Sequence, residues 1–321
     1  MRRGFGFACV TAALLLVVGA GLVKWVAAPA LVKAPLSINS VTVSTGTAQL
    51  FVLTAQQVQT VPVVATRTVT GDAQRGTDSV AVYDEVLCLR AGNATGADTH
   101  GCVLSTDPDF IQKTTDRVAF DRVSALPAVE QASFGAAVDG NGSIVHTGLG
   151  YTFPIDTKKK SYPFFDTVVG KSYPMAYAGA EKVNGMSTYK FVQHVPGSPI
   201  KINGVLPGTY SNVRTVWVQP TTGVIVKGSE AIDEEFTSND QTVFRGTLSF
   251  DAATVRAQVK FADDQLGKVQ LIRKWVPLGL LLLGLMSLVL GNVLLLRGHE
   301  RPVHRVAAKV DQPSVRSDSQ T

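Results

Sequence analysis

The chain has 321 residues, 45% of them hydrophobic and 17% charged, with a formal net charge of +5. Much of the positive charge lies at the two ends, in Arg2 and Arg3 and in Arg297, Arg301, Arg305, Lys309 and Arg316. The middle is near neutral, with no basic stripe and no interleaved aromatics, which argues against a nucleic-acid partner.

Arg2 and Arg3 precede an uncharged run from Phe5 to Val23, and Lys24 and Trp25 follow it. Its 19 residues exceed the ~7–15 of a signal-peptide core, so a retained transmembrane helix is expected over 5–23. A cleaved signal peptide is the alternative, because Ala28-Pro-Ala30 resembles a cleavage site. Residues 24–45 hold prolines and small polar residues and read as a linker.

Residues 46–250 read as a β-rich domain. Gln49–Thr54, Val58–Val69, Ser79–Leu89 and Ser143–Phe153 carry Val, Thr and aromatics between Gly, Asp and Asn clusters. Ala176–Lys182 and Met186–Val195 flank Asn184-Gly185, the dipeptide of a type I′ hairpin. A longer Pro/Gly loop, Gln219–Gly223, joins Val213–Val218 to Val224–Lys227, and Phe244, Gly246, Leu248 and Phe250 alternate along a further strand. Cys88 and Cys102 lie 14 positions apart across a Gly/Asn/Thr-rich loop and are expected to pair in an oxidising compartment, with buried free thiols as the alternative. Cys9 lies inside the first span.

From Asp251 the period changes. Val255, Val259, Ala262, Leu266, Val269 and Ile272 fall three or four apart, an amphipathic helix capped by Asp251. Residues 251–275 read as a helical stalk, with a core helix ending at Gly267 as the alternative. Val276–Leu296 then runs 21 residues without a charge, close to the ~30 Å of a bilayer core at 1.5 Å per residue, between Trp275 and Arg297. Residues 297–321 are polar and read as a disordered tail. The expected class is an α+β membrane protein, with two transmembrane helices flanking an antiparallel, hairpin-built extracytoplasmic domain. The terminal arginines put residues 1–4 and the tail in the cytoplasm and anchor the chain in the inner membrane.

Catalytic signatures are absent: no His-Glu-x-x-His, Cys-x-x-Cys, Walker loop or Gly-x-Ser-x-Gly occurs, and no cofactor is expected. Asp139–Ser143 starts like a calcium loop, but Ile144 and Gly150 stand where glycine and glutamate belong, and a tight turn is the simpler reading. Asp107-Pro-Asp109 has the spacing of a sugar-nucleotide metal site without a nucleotide loop beside it. A denser feature is the aromatic set Tyr151, Phe153, Tyr162, Phe164, Phe165, Tyr173 and Tyr177, interleaved with Lys158, Lys159, Lys160 and Lys171. Rings beside cations suit a groove for an amphiphile with an anionic or sugar headgroup, and the alternative is core rings beside a solvated turn.

Tyr151-Thr-Phe-Pro-Ile-Asp156, Lys160-Ser-Tyr-Pro-Phe-Phe-Asp166, Thr188-Tyr-Lys-Phe191 and Arg214–Gly223 resemble the signature segments of an actinobacterial two-span envelope family that carries the label Porin PorA. Gln219 departs from the acidic residue of that pattern. The resemblance covers nearly the whole chain. It implies mycolic-acid-bearing bacteria and a part in trafficking of mycolates, envelope growth or lipoglycan maturation, and no catalytic residues carry over. The porin label conflicts with the chain's two apolar helices, since an outer-membrane barrel alternates lipid-facing and lumen-facing residues along each strand. The expectation is therefore a non-enzymatic factor in envelope lipid or glycolipid assembly, partnered by the membrane and by a lipid, glycolipid or lipid transporter. A channel-forming protein is the alternative and a glycan-modifying enzyme the second.

Overall fold

A computed structural model describes residues 2–52, 55–92, 109–135, 138–139, 142–143 and 145–297, without the side chains of 2–3, 138–139 and 142–143. In chain order the elements are α1 (Arg2–Leu22), α2 (Ala28–Leu31), β1 (Asn39–Val52), β2 (Gln57–Gly71), β3 (Val80–Ala91), β4 (Phe110–Asp121), β5 (Val138–Asp139), β6 (Gly142–Ser143), β7 (Tyr162–Asp166), β8 (Lys171–Val183), β9 (Met186–Ile202), β10 (Leu206–Val218), β11 (Ile225–Phe236), β12 (Thr242–Phe250), α3 (Ala252–Gln270) and α4 (Val276–Arg297). The α+β class is as expected: two long apolar helices flank a ten-stranded antiparallel half-barrel followed by the C-terminal stalk helix. The chain divides into two compact units, Met1–Val26 with Lys274–Thr321, and Ala27–Arg273.

In the first unit α1 packs along α4 through small residues seven apart. Gly6, Ala13 and Ala20 are buried on α1, and Pro277, Gly284 and Gly291 on α4. A side chain at Gly291 would meet the Gly6 carbonyl at 3.0 Å, and one at Gly284 the Ala13 carbonyl at 3.4 Å. Small residues let the backbones approach closely, which is how helices associate where lipid supplies no hydrophobic drive. Ser287 donates to the Cys9 carbonyl at 2.8 Å and Asn292 to that of Leu288 at 3.0 Å. The large apolar side chains, Leu14, Leu15, Leu282 and Leu283 among them, point outward. Both helices are long and apolar enough to cross a membrane.

In the second unit the strand order is β4-β3-β2-β1-β12-β11-β10-β9-β8-β7. Alternation gives the sheet two unlike faces. The convex face carries Thr45, Thr47, Thr68, Thr70, Thr215, Arg245 and Thr247, a surface suited to water. The concave face gathers a core of Val69, Tyr83, Phe120, Phe153, Phe191 and Val216. The edges β4 and β7 are not joined to each other. Segments of the connection between them fill the gap instead: Phe120 bridges to Pro127, and Leu149 pairs in parallel with Phe164. Phe165 N donates to Leu149 O at 2.8 Å and Phe153 N to Gly223 O at 2.9 Å, which ties this connection to the loop after β10. Gly223 has φ +75°, and a side chain there would collide with the Phe153 carbonyl.

Several sequence expectations shift. The reading of 24–45 as linker gives way to strand from Asn39, whose small polar residues fit a face open to solvent. Ser143–Phe153 is no long strand; from Val145 onward it is loop, and its apolar residues serve as the filling just described. β4 went unread. Asn184 and Gly185 both take positive φ, 46° and 84°, as the type I′ turn requires. α3 continues past Gly267 to Gln270 and carries Asp251 as its cap, whose carboxylate accepts from Thr254 N at 2.6 Å. Val255 and Ala262 pack with Trp217 and Val226.

Candidate functional site: a charged cavity

The concave face encloses a cavity of about 1850 Å³, bordered by the sheet and by Gln258, Phe261, Gln265 and Lys268 of α3. Its lining is apolar at one level (Leu50, Leu89, Phe244, Leu248) and charged at another. The charged level forms because cross-strand register stacks polar residues from distant segments side by side. Arg214 on β10 stands opposite Gln193 on β9 and Glu230 on β11. Its guanidinium donates to Gln193 Oε1 at 2.7 Å and to Asp166 Oδ2 at 3.1 Å, and its Nε reaches Glu230 Oε1 at 3.0 Å. Tyr210 OH donates to Asp166 at 3.3 Å, and Asn212 donates to both Glu230 and Tyr210 at 3.0 Å.

On the other side of the cavity Arg67 of β2 lies 3.4 Å from Glu85 of β3, and Glu85 stands opposite Asp116 of β4. Asp116 holds the connection in place: its Oδ1 is 2.9 Å from His146 Nε2, and its Oδ2 accepts from Tyr151 OH at 2.6 Å. Gln131 brackets the His146 backbone through both N–H and C=O.

The electrostatics follow from burial and these pairings. Burial drives the Glu230 carboxyl up, but Arg214 and then Arg67 outweigh it and hold it down to about 2. Burial likewise opposes the charge on Arg214, and Glu230 and Asp166 overcome that, raising its pKa. For Glu85 burial wins over Arg67 and the carboxyl is raised. Burial also acts against ionised Asp116, yet the His146 contact outweighs it and the carboxyl is lowered.

The aromatic set is divided by the fold. Phe153, Tyr162, Phe164 and Phe165 are buried, Phe153 and Tyr162 against Phe191, Phe164 against Phe153 and Phe165 against His146, and Tyr151, Tyr173 and Tyr177 are half-buried. Tyr151, Phe164 and Phe165 reach the cavity wall. Lys158, Lys159, Lys160 and Lys171 are exposed and do not border it. Lys159 lies over Tyr177 and Tyr189, and Lys160 over Tyr162. Cys88 is buried on β3, whereas Cys102, Asp107 and the side chains of Asp139–Ser143 lie outside the described residues. Sequence reasoning passed over the belt residues Arg214, Glu230, Asp166 and Gln193. The available signal was an arginine inside the apolar run Val213–Val218.

The profile of the Porin PorA family matches residues 5–293. Two curated relatives bear the name Porin PorA. That of Corynebacterium resistens (strain DSM 45100 / JCM 12819 / GTC 2026 / SICGH 158) is 27% identical, over 53% of this chain and 55% of the relative. That of Corynebacterium amycolatum is 22% identical, over 57% of this chain and 64% of the relative. The chain thus spans less than two thirds of the length of these relatives. A crystal structure of a DUF1329 family protein from Desulfovibrio piger ATCC 29098 aligns over 76% of this chain and 91% of that one, at 10% identity; its TM-score of 0.17 establishes no common fold. Relatives named as porins overturn the lipid-assembly reading in favour of its channel-forming alternative. With its profile matched from Phe5 to Val293, the chain belongs to the Porin PorA family.

Proposed function

We propose that the chain is a non-enzymatic, channel-forming envelope protein whose charged cavity is the vestibule that admits small polar solutes. The observation that carries this reading is the belt of ionised groups around a cavity of about 1850 Å³ in a member of the Porin PorA family. A folded domain retains so many buried charges at the expense of stability, so a role for them is expected. The convex face of the half-barrel is rich in threonine and charge, which suits water and not acyl chains, so the sheet stands outside the bilayer. α1 and α4 hold the chain in the inner membrane, with both ends on the cytoplasmic side by the arginine distribution. Two helices enclose no passage, so the conducting unit contains several copies. In the exported compartment Cys88 and Cys102 form a disulfide. The test is electrical: purified full chain is added to planar bilayers, stepwise conductance is expected, and its absence over a range of protein concentrations refutes the reading.

A further inference from the structure

Glu234 stands apart from the paired belt. It lies on the concave face of β11, opposite Tyr210 of β10 and Phe244 of β12, with Ile232 and Phe236 before and after it on the same face. All five border the cavity. Arg214 is engaged by Asp166 and Glu230, and Arg245 by Asp233 and Glu235, so among the described residues no cation pairs with Glu234. A carboxylate walled by rings and aliphatic carbon, with no counter-ion supplied by the chain, is poorly solvated and electrostatically incomplete. Burial accordingly pushes its carboxyl up to about 7, and Asp166 and Asp233 add to the effect.

A second acceptor lies on the neighbouring strand and does not border the cavity. Asn212 is 1% exposed and gives its amide hydrogens to Glu230 and Tyr210, which leaves Oδ1 without a donor among the described residues. It occupies the same face of β10, two residues from Tyr210. An unpaired carboxylate next to three aromatic rings matches one ligand chemistry: N–H donors, positive charge and an apolar body. A bare divalent cation fits worse, because among the described residues no group of three or more His, Cys, Asp or Glu converges on a metal position. The cavity also borders Lys33, Lys113, Lys201 and Lys268; Lys33 is engaged by Asp78 at 2.7 Å, and the other three are exposed with their charge screened by solvent and salt.

We infer that this wall of the cavity binds organic ammonium ions, with Glu234 as the anionic anchor and Tyr210, Phe236 and Phe244 as the surface for the cation and its apolar body. As the solute class of the vestibule this rests on the channel reading; as a binding site it is measured without conductance. The experiment uses full chain in detergent, titrated calorimetrically with 2-phenylethylammonium and with its anionic counterpart 3-phenylpropionate. At about pH 8 the ammonium should bind at least about tenfold more tightly than the anion, and Glu234→Gln should abolish that preference, a loss of about 1.4 kcal/mol or more. Wild-type affinity should fall to the same degree at about pH 5, where Glu234 is protonated. Partition of the amine into micelles is common to both proteins and cancels. Equal affinity of wild type and Glu234→Gln, or a wild-type affinity for the ammonium that does not fall on acidification, overturns the site. The pH series decides the matter alone if the variant does not fold. Binding without conductance refutes the channel and leaves the site standing.

Discussion

Replacing Arg214 by methionine tests the belt most sharply. The guanidinium is 10% exposed, Asp166 is 0% exposed and Glu230 is 26% exposed. Methionine fills a similar volume but leaves two carboxylates without their cation and Gln193 Oε1 without its donor. Removing one partner of a buried ion pair costs about 3–5 kcal/mol, against the 0–1 kcal/mol of a surface pair. The pH dependence distinguishes this from a packing defect. In the wild type Glu230 has a pKa held down to about 2, below its ordinary 4.5. Its contribution is therefore present above the unfolded value and lost as pH falls towards 2. In Arg214→Met burial acts unopposed by Arg214 and raises that carboxyl, so the variant loses stability as pH rises. Urea unfolding of the full chain, followed by tryptophan fluorescence, should show a larger deficit at about pH 8 than at about pH 4. A deficit under about 1 kcal/mol, or one equal at the two pH values, contradicts the argument.

Phe164→Ala should cost about 3–5 kcal/mol, because the ring is 5% exposed among Phe153, Arg214 and the Leu149 bridge; thermal unfolding of the variant reads it. Gly291→Leu should separate α1 from α4, since a side chain there would lie 3.0 Å from the Gly6 carbonyl; resonance transfer between labels on the two helices should fall. Asp251→Ala removes the α3 cap and should cost about 1 kcal/mol in the same unfolding assay. Thiol labelling of denatured, non-reduced protein should modify Cys9 alone, and labelling of Cys88 and Cys102 refutes their pairing.

The membrane spans and the strand-rich middle were legible because each rests on a local pattern. An uncharged run of bilayer length needs no tertiary information, and Asn184-Gly185 announces its turn through the positive φ of both residues. Asn203-Gly204 takes the same conformation, φ 50° and 73°, and carries the same signal in the sequence. β4 escaped notice because Lys113, Thr114, Thr115, Asp116 and Arg117 make a polar stretch, and its apolar face emerges only at Val118 and Phe120. The belt was illegible for a different reason. Asp166, Gln193, Arg214 and Glu230 lie on four strands, and no spacing in the chain relates them; the register of β9, β10 and β11 sets the last three side by side, and the end of β7 brings Asp166 within 3.1 Å of Arg214. The aromatic set was conspicuous as a sequence cluster, yet the fold buries Phe153, Tyr162, Phe164 and Phe165 and brings Tyr151, Phe164 and Phe165 alone of the set to the cavity wall.

The central claim is that this chain conducts. Full chain reconstituted in planar bilayers at about pH 8 should give stepwise conductance, with reversal potentials in a salt gradient shifted towards cations. That shift should weaken as pH falls through about 7, the value to which burial raises Glu234, and it should be smaller in Glu234→Gln than in wild type at about pH 8 and equal to it at about pH 5. Bilayers that stay silent with well-folded wild-type protein contradict the account.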